Sequence, residues 1–417
     1  MKIAIVAPSQ VPYVQGGAER LWRGLRQAIE AEGHLCEIFN IPMRDGNFWD
    51  VIDGYKSFYD LNFDHFDILV TGKNPAWMVR HSNHYVYMLH PLRGVYDTYH
   101  LFGLGNEVVS DNLLIQAISA ACDHGIETAD LFGMLCDLRD QYPDSTEAAL
   151  PSPLLRKVLH RLDANALEAV RGVSAISKTV AKRAEYFHGR KGIKAFYPVS
   201  TVVGEASGPG KHYLTYSRLD APKRINLIIE GYRKARVDRP LLVVGEGPEE
   251  QKLRKLGEDA AGIKFLGRVD DGKLADLISE AHAVVFTPLM EDYGYVTAEA
   301  LASGRPVITV TDSGGPTEFI KDGKNGWISE PTSEQVASSF RRAEELKDWS
   351  KMSTACKRSA AKIDWAPLIA DIVDSTQTSE RGRGVRPAAP RRKRILSLST
   401  YPVHPPQGGG QARVFYM

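Results

Sequence analysis

Cysteine is scarce in this chain. Its 417 residues hold four, Cys36, Cys122, Cys136 and Cys356, with none at Cys-x-x-Cys spacing. That spacing argues against a disulfide framework or a zinc site, and scattered thiols suit a reducing cytoplasm. Net charge is slight too: 52 Lys and Arg against 51 Asp and Glu leave +1. No global field selects nucleic acid or an acidic partner, so electrostatic function must be local. Long apolar runs are missing: no stretch approaches the ~18–20 apolar residues of a membrane span. The opening MKIAIVAP is too short for a signal-peptide core and runs straight into a Gly-containing loop. The expectation is a soluble cytoplasmic protein, with peripheral contact at the inner face of the cell membrane left open.

What is present is ordinary for a globular enzyme, with 43% apolar and 25% charged residues. The length suits two domains plus a remainder. Short β-rich runs alternate with helical patterns. Residues 2–7, 35–41, 66–71, 85–89, 171–176 and 194–197 read as strands, with a helix over 18–32. Residues 95–167 break this rhythm and read as helices and loops. A second series follows, with strands at 213–217, 241–244, 263–266, 283–287 and 306–310. Such alternation predicts parallel sheets covered on both faces. The fold class is therefore α/β: two doubly wound, Rossmann-like domains facing across a cleft. The Gly-, Ser- and Pro-rich run 200–211 marks the linker between them. The domains are expected at 1–199 and 200–359, with a helix near 360–376 rejoining the first. Residues 377–393 read as a basic flexible linker. Residues 394–417 resemble the start of a second module, because Gly409-Gly410-Gln411-Ala412-Arg413 repeats the pattern of Gly16-Gly17-Ala18-Glu19-Arg20.

The chemistry gathers at expected strand ends. Arg218 and Lys223 follow a strand in YSRLDAPKR, where phosphate binds in doubly wound folds; alone, such a pair is more often solvated surface. Gly245-Glu246-Gly247-Pro248 lacks the third Gly of a dinucleotide fingerprint and reads as a connecting loop. Phe265, Gly267 and Arg268 end another strand, where backbone groups can read a nucleobase edge, although an ordinary turn fits as well. The strongest signal is the segment from Thr287 to Pro306. A polar loop holding Glu291 and Gly294 opens a helix whose first N–H groups, near Tyr295 and Val296, form an anion site. Glu299 lies within the first turns of that helix. Gly314-Gly315-Pro316 is expected to start a further helix. In the first half, Gly16 and Gly17 let backbone approach a ligand. His90 ends a strand, where its imidazole can bond a sugar hydroxyl.

These residues resemble GT4-type retaining glycosyltransferases of the GT-B fold. The resemblance rests on Ser217-Arg218-Leu219-Asp220 with Lys223, Gly245-Glu246-Gly247-Pro248, Phe265-Leu266-Gly267, Glu291 and Glu299 as an E-x7-E pair, and Ser313-Gly314-Gly315-Pro316-Thr317-Glu318. His90-Pro91-Leu92-Arg93 and Tyr197-Pro198 are similar to the subgroup with bacterial O-antigen and polysaccharide mannosyltransferases. The resemblance implies that Arg218 and Lys223 bind the donor diphosphate and that Glu299 bonds the ribose. It further implies that Glu291 and His90 contact the transferred sugar and that Gly17 faces the donor phosphates. The loop after the first Glu commonly reads Gly-Phe-Gly, and here it reads Asp292-Tyr293-Gly294. The implied partners are a nucleotide-sugar donor, with GDP-mannose favoured, and a glycan or lipid-linked acceptor, besides the possible second glycosyltransferase module. No nucleic acid is expected. No Asp-x-Asp pair stands where a metal would be needed, and no cofactor is expected. Two alternatives stay open: a non-catalytic glycan-positioning module, and an epimerase or phosphorylase on the same scaffold.

Overall fold

The computed structural model describes residues 1–10, 16–200 and 202–377. Its first sheet comprises β1 (Lys2–Gln10), β2 (Leu35–Met43), β3 (Ile68–Lys73), β4 (His84–His90), β5 (Gly172–Ala175) and β6 (Lys194–Ala195). The second comprises β7 (His212–Tyr216), β8 (Leu241–Val244), β9 (Ile263–Gly267), β10 (Ala281–Val285), β11 (Val307–Val310) and β12 (Gly326–Ser329). Both are wholly parallel among the described residues. Central strands are apolar on both faces, because helices cover both. Ile3, Ala4, Ile5 and Val6 in β1, and Ala283, Val284 and Val285 in β10, are fully buried.

Strand order places the site. The first sheet runs β2-β1-β3-β4-β5-β6 and the second β12-β11-β10-β7-β8-β9. Order reverses between β1 and β3 and again between β7 and β10. Loops leaving the carboxyl ends of strands at such a reversal diverge and open a crevice. Gly16 and Gly17 follow β1. Lys223 follows β7, and Glu291 follows β10.

The 95–167 stretch holds three α-helices. The helix Leu113–Asp123 starts at Asn112, whose side chain accepts from the Leu114 and Ile115 N–H groups. The helix Pro153–Ala169 starts at Ser152, whose Oγ accepts from Leu155 N, with Pro at its first position. It buries Leu154, Leu155, Val158, Leu159 and Leu162. Between them runs the helix Thr128–Gln141.

Three local expectations change. A sixth strand, β12, pairs with β11 from Val307↔Gly326 to Val310↔Ser329; its four residues are too short to show alternation. The expected helix after Gly314 is a single 3-10 turn, Gly315–Glu318, because the chain bends away to reach β12. The strand expected at 194–197 pairs over two residues only. The linker packs on the second domain, with Gly204 N donating to Ser303 Oγ at 2.9 Å. The helix Ala366–Gln377 returns to the first sheet, where Tyr85 donates to Asp371 at 2.6 Å. The expected basic linker from 378 onward and the second-module fragment 394–417 lie outside the described residues.

Candidate functional site

The turn after β10 makes the centre of the site. Glu291 N donates to Ser313 O at 2.9 Å, and Gly315 N donates to Glu291 O at 2.8 Å, so two loops run side by side. Gly314 must be glycine there: at φ 73° a Cβ would lie 2.5 Å from Glu291 O. Gly294 has φ 81° and precedes the helix Tyr295–Ala302. The Tyr295 and Val296 N–H groups, as in any helix start, have no carbonyl one turn back to meet.

Lys223 Nζ lies 2.6 Å from Glu291 Oε2, with both side chains about four-fifths buried. The ammonium also stands 5.8 Å from the Phe286 ring centre. Arg218 reaches the same sheet edge but not this pair. Its side chain is 73% exposed, 3.5 Å from Asp220. That leaves it free to swing onto a ligand. Arg224, which sequence reasoning passed over, fixes the floor. It donates to Thr287 O at 2.9 Å and Pro288 O at 2.7 Å, and grips Asp312 with two bonds of 2.8 and 2.6 Å. One guanidinium thus ties the loops after β7, β10 and β11. Its only sequence signal was its place beside Lys223.

Glu299 sits one layer deeper and is 4% exposed. Tyr216 donates to Oε2 at 3.0 Å and Ser200 to Oε1 at 3.1 Å. Burial raises its carboxyl above the ordinary Glu value, against those two bonds and the nearby Arg20 cation. The tools of the first half come close here. A Cβ on Gly17 would lie 3.6 Å from the Tyr295 ring. Gly16 N donates to Glu19 Oε2 at 2.7 Å, which caps that helix.

Gly245 and Gly247 serve packing, as a connecting loop would. A Cβ at Gly245 would lie 1.9 Å from Ser217 O, and one at Gly247 2.3 Å from Leu219 O. Gly267 O accepts from Gly245 N at 2.9 Å. Phe265 lies under the Arg254 guanidinium, 4.8 Å away, and Arg268 is exposed.

On the first domain, His90 ends β4 with Nδ1 2.8 Å from Pro91 O. A carbonyl only accepts, so Nδ1 carries the proton. Burial pushes the ring's pKa down, which keeps it neutral near pH 7. Nε2 is then an acceptor, suited to a sugar hydroxyl. Arg93 holds Asp97 through bonds of 3.2, 3.1 and 2.7 Å. Asp292 and Glu318 reach across to this domain. Glu318 accepts from Lys178 N at 2.9 Å, Thr179 N and Oγ1 at 2.7 Å, and Tyr197 at 2.9 Å. It caps the helix Lys178–His188 from the other domain. Neither contact has a signal in sequence, since both join segments more than a hundred residues apart.

Residues 204–363 match the family described as Glycosyl transferases group 1. Among curated relatives, the UDP-N-acetylglucosamine–peptide N-acetylglucosaminyltransferase GtfA subunit of Streptococcus gordonii is 30% identical over 133 residues, 31% of this chain and 26% of that protein. Phosphatidyl-myo-inositol mannosyltransferase of Mycobacterium leprae is 33% identical over 125 residues, 28% of this chain and 33% of that protein. The chain thus spans about a quarter to a third of these relatives' lengths. Among solved structures, the sucrose-phosphate synthase of Thermosynechococcus elongatus aligns with TM-score 0.60 at 14% identity, covering 90% of this chain and 98% of that one. Anabaena HepE, solved with UDP and glucose, aligns with TM-score 0.56 at 16% identity over 91% and 100%. At such identities the likeness establishes the fold.

Proposed function

We infer that this chain, which has the GT-B fold and whose residues 204–363 match the group 1 glycosyl transferase family, is a retaining glycosyltransferase of the GT4 type. The observation that carries the reading is the turn after β10. It presents Glu291, paired with Lys223, and Glu299, held by Tyr216 and Ser200, on the side facing Gly17.

The donor is a nucleoside diphosphate hexose. Glu299 bonds the ribose, and Glu291 and neutral His90 hold the transferred sugar. As the C1–O bond to phosphate breaks, the sugar becomes oxocarbenium-like and negative charge grows on the leaving diphosphate. Lys223, Arg218 and the Tyr295 and Val296 N–H groups stabilise that charge, so no metal ion is required. The acceptor hydroxyl adds to C1 on the face the phosphate leaves, and its proton passes to a phosphate oxygen. GDP-mannose is the favoured donor, with support from the mannosyltransferase relatives, the mycobacterial enzyme and the ALG2 enzymes of Dictyostelium discoideum and Neurospora crassa. A lipid-linked or polysaccharide hydroxyl is the acceptor.

The test is thermal denaturation with a panel of GDP- and UDP-linked sugars, since a ligand at 100 times its Kd stabilises by about 2.7 kcal/mol. One nucleotide sugar should raise Tm and be consumed when acceptor is added. Glu299→Ala should abolish both effects in a folded protein. An unmoved Tm across the panel refutes the reading, and stabilisation without turnover favours a binding module. A stabilising UDP-sugar would move the donor assignment from mannose.

A further inference from the structure

Asp292 stands next to Glu291 in the loop after β10. Its surroundings are those of a joint between the domains. Its carboxylate meets Arg183 Nη1 directly and Arg93 Nη1 at 3.8 Å, and both cations belong to the first domain. Asp97 binds the same two cations, with Arg93 Nη2 at 2.7 Å and Arg183 Nε at 3.1 Å. Two acids and two guanidiniums therefore alternate around a ring. The Arg183 side chain is only 5% exposed and that of Asp292 19%. The backbone is tied as well: Ser177 Oγ donates to Asp292 O, and Tyr293 donates to Pro198 O at 2.7 Å.

The charges balance only with the ring complete. Without Asp292, the buried Arg183 would share a single acid with Arg93, and stranding a buried charge is costly. The ring also spans the chemistry. Arg93 is three residues from His90, and Asp292 is adjacent to Glu291. A small residue at 292 would supply none of these side-chain bonds.

We propose that Asp292 is a positioning residue that locks the Glu291 loop of the second domain to the 90–97 loop of the first, so that Glu291 and His90 are held in register across the cleft. This rests on the transferase reading above. Asp292 touches no substrate. It acts by fixing the groups that do, and small misplacements at a reacting centre cost rate more than affinity.

The experiment uses the full chain and four variants: Asp292→Asn, Asp292→Glu, Arg183→Met and the double variant Asp292→Asn with Arg183→Met. Donor binding is read by calorimetry, turnover by steady-state kinetics, and local opening by hydrogen exchange. Expected for Asp292→Asn is a kcat lower by roughly 10–100-fold, with donor Kd changed by less than about threefold. Exchange should rise both in 291–295 and in 93–99, on opposite domains. Asp292→Glu should restore part of the rate. The double variant should be no worse than the poorer single one, as one network requires. An unchanged kcat overturns the proposal. So does a Kd that worsens in step with kcat, which would mark a donor contact, or an exchange increase confined to 291–295. If the wild type turns over no nucleotide sugar, the transferase reading falls, and the exchange in 93–99 alone still decides whether Asp292 couples the domains.

Discussion

Lys223 Nζ and Glu291 Oε2 stand 2.6 Å apart and join the loops after β7 and β10, where the strand order of the second sheet reverses. The pair places one cation and one carboxylate at the mouth of the crevice before any ligand arrives. Pre-set charge of this kind costs no reorganisation when charge develops on a leaving group.

Removing the cation tests this. Lys223→Met should lower kcat for donor turnover by about 10²–10³, the size of effect seen when one oriented electrostatic group is lost. Lys223→Arg keeps the charge with a different shape and should retain part of the rate. Donor turnover under saturating conditions reads both. Near-wild-type kcat in Lys223→Met would remove Lys223 from the chemistry.

Glu299 should make donor binding sensitive to acid. Burial raises its carboxyl above the ordinary Glu value. As pH falls, protonation therefore sets in earlier than for an exposed Glu near ~4.3. If the ionised form accepts from the ribose, affinity is full at neutral pH and falls as pH drops through that raised value. Calorimetry across pH should show the acid limb above the usual carboxylate range. Glu299→Gln should bind more weakly and lose that limb; a limb that persists in Glu299→Gln belongs to another group.

Asp163 should tilt stability the opposite way from a surface acid. It is fully buried and accepts from Trp77 at 2.7 Å and Tyr96 at 2.6 Å. Burial outweighs these bonds and lifts its pKa from 3.8 to about 6. The folded state thus holds this proton more tightly than the unfolded chain does. The stabilisation is full below pH ~3.8 and is lost as pH rises through about 6. The change is about 3 kcal/mol. Denaturant unfolding of wild type and Asp163→Asn should diverge by about that amount between pH 4 and 7. Parallel profiles would rule it out.

Glu318 should matter for folding more than for ligand. It accepts four bonds from the first domain, two of them from N–H groups at the start of the helix Lys178–His188. Glu318→Ala leaves those donors without their acceptor, at a cost of about 1–3 kcal/mol. For a chain of this size that is a fall of a few degrees in Tm. Differential scanning calorimetry reads it. An unchanged Tm would mean that water replaces the carboxylate without loss.

The alternation of apolar runs predicted both sheets, because a strand buried on two faces must be apolar at nearly every position and Val284 and Ile5 obey that rule. The four-residue β12 escaped it. Gly-containing turns just past the strands placed Gly17, Glu291 and Gly294 at carboxyl ends, and the strand before YSRLDAPKR placed Lys223 there. The partners escaped. Tyr216 and Ser200 on Glu299, Arg224 on Asp312, Arg183 on Asp292 and Glu318 on Thr179 join residues 83 to 139 positions apart. Periodicity reports only what a residue's neighbours in the chain do, so local pattern determined which elements form and which residues stand at their ends. Which charges face each other is settled by tertiary packing, within the second sheet's loops for Arg224 and Asp312 and between the domains for Arg183 and Asp292. Asp292 shows the division: the resemblance marked it only as an acid where a glycine is expected, and the packing of the first domain against it made it a bridge.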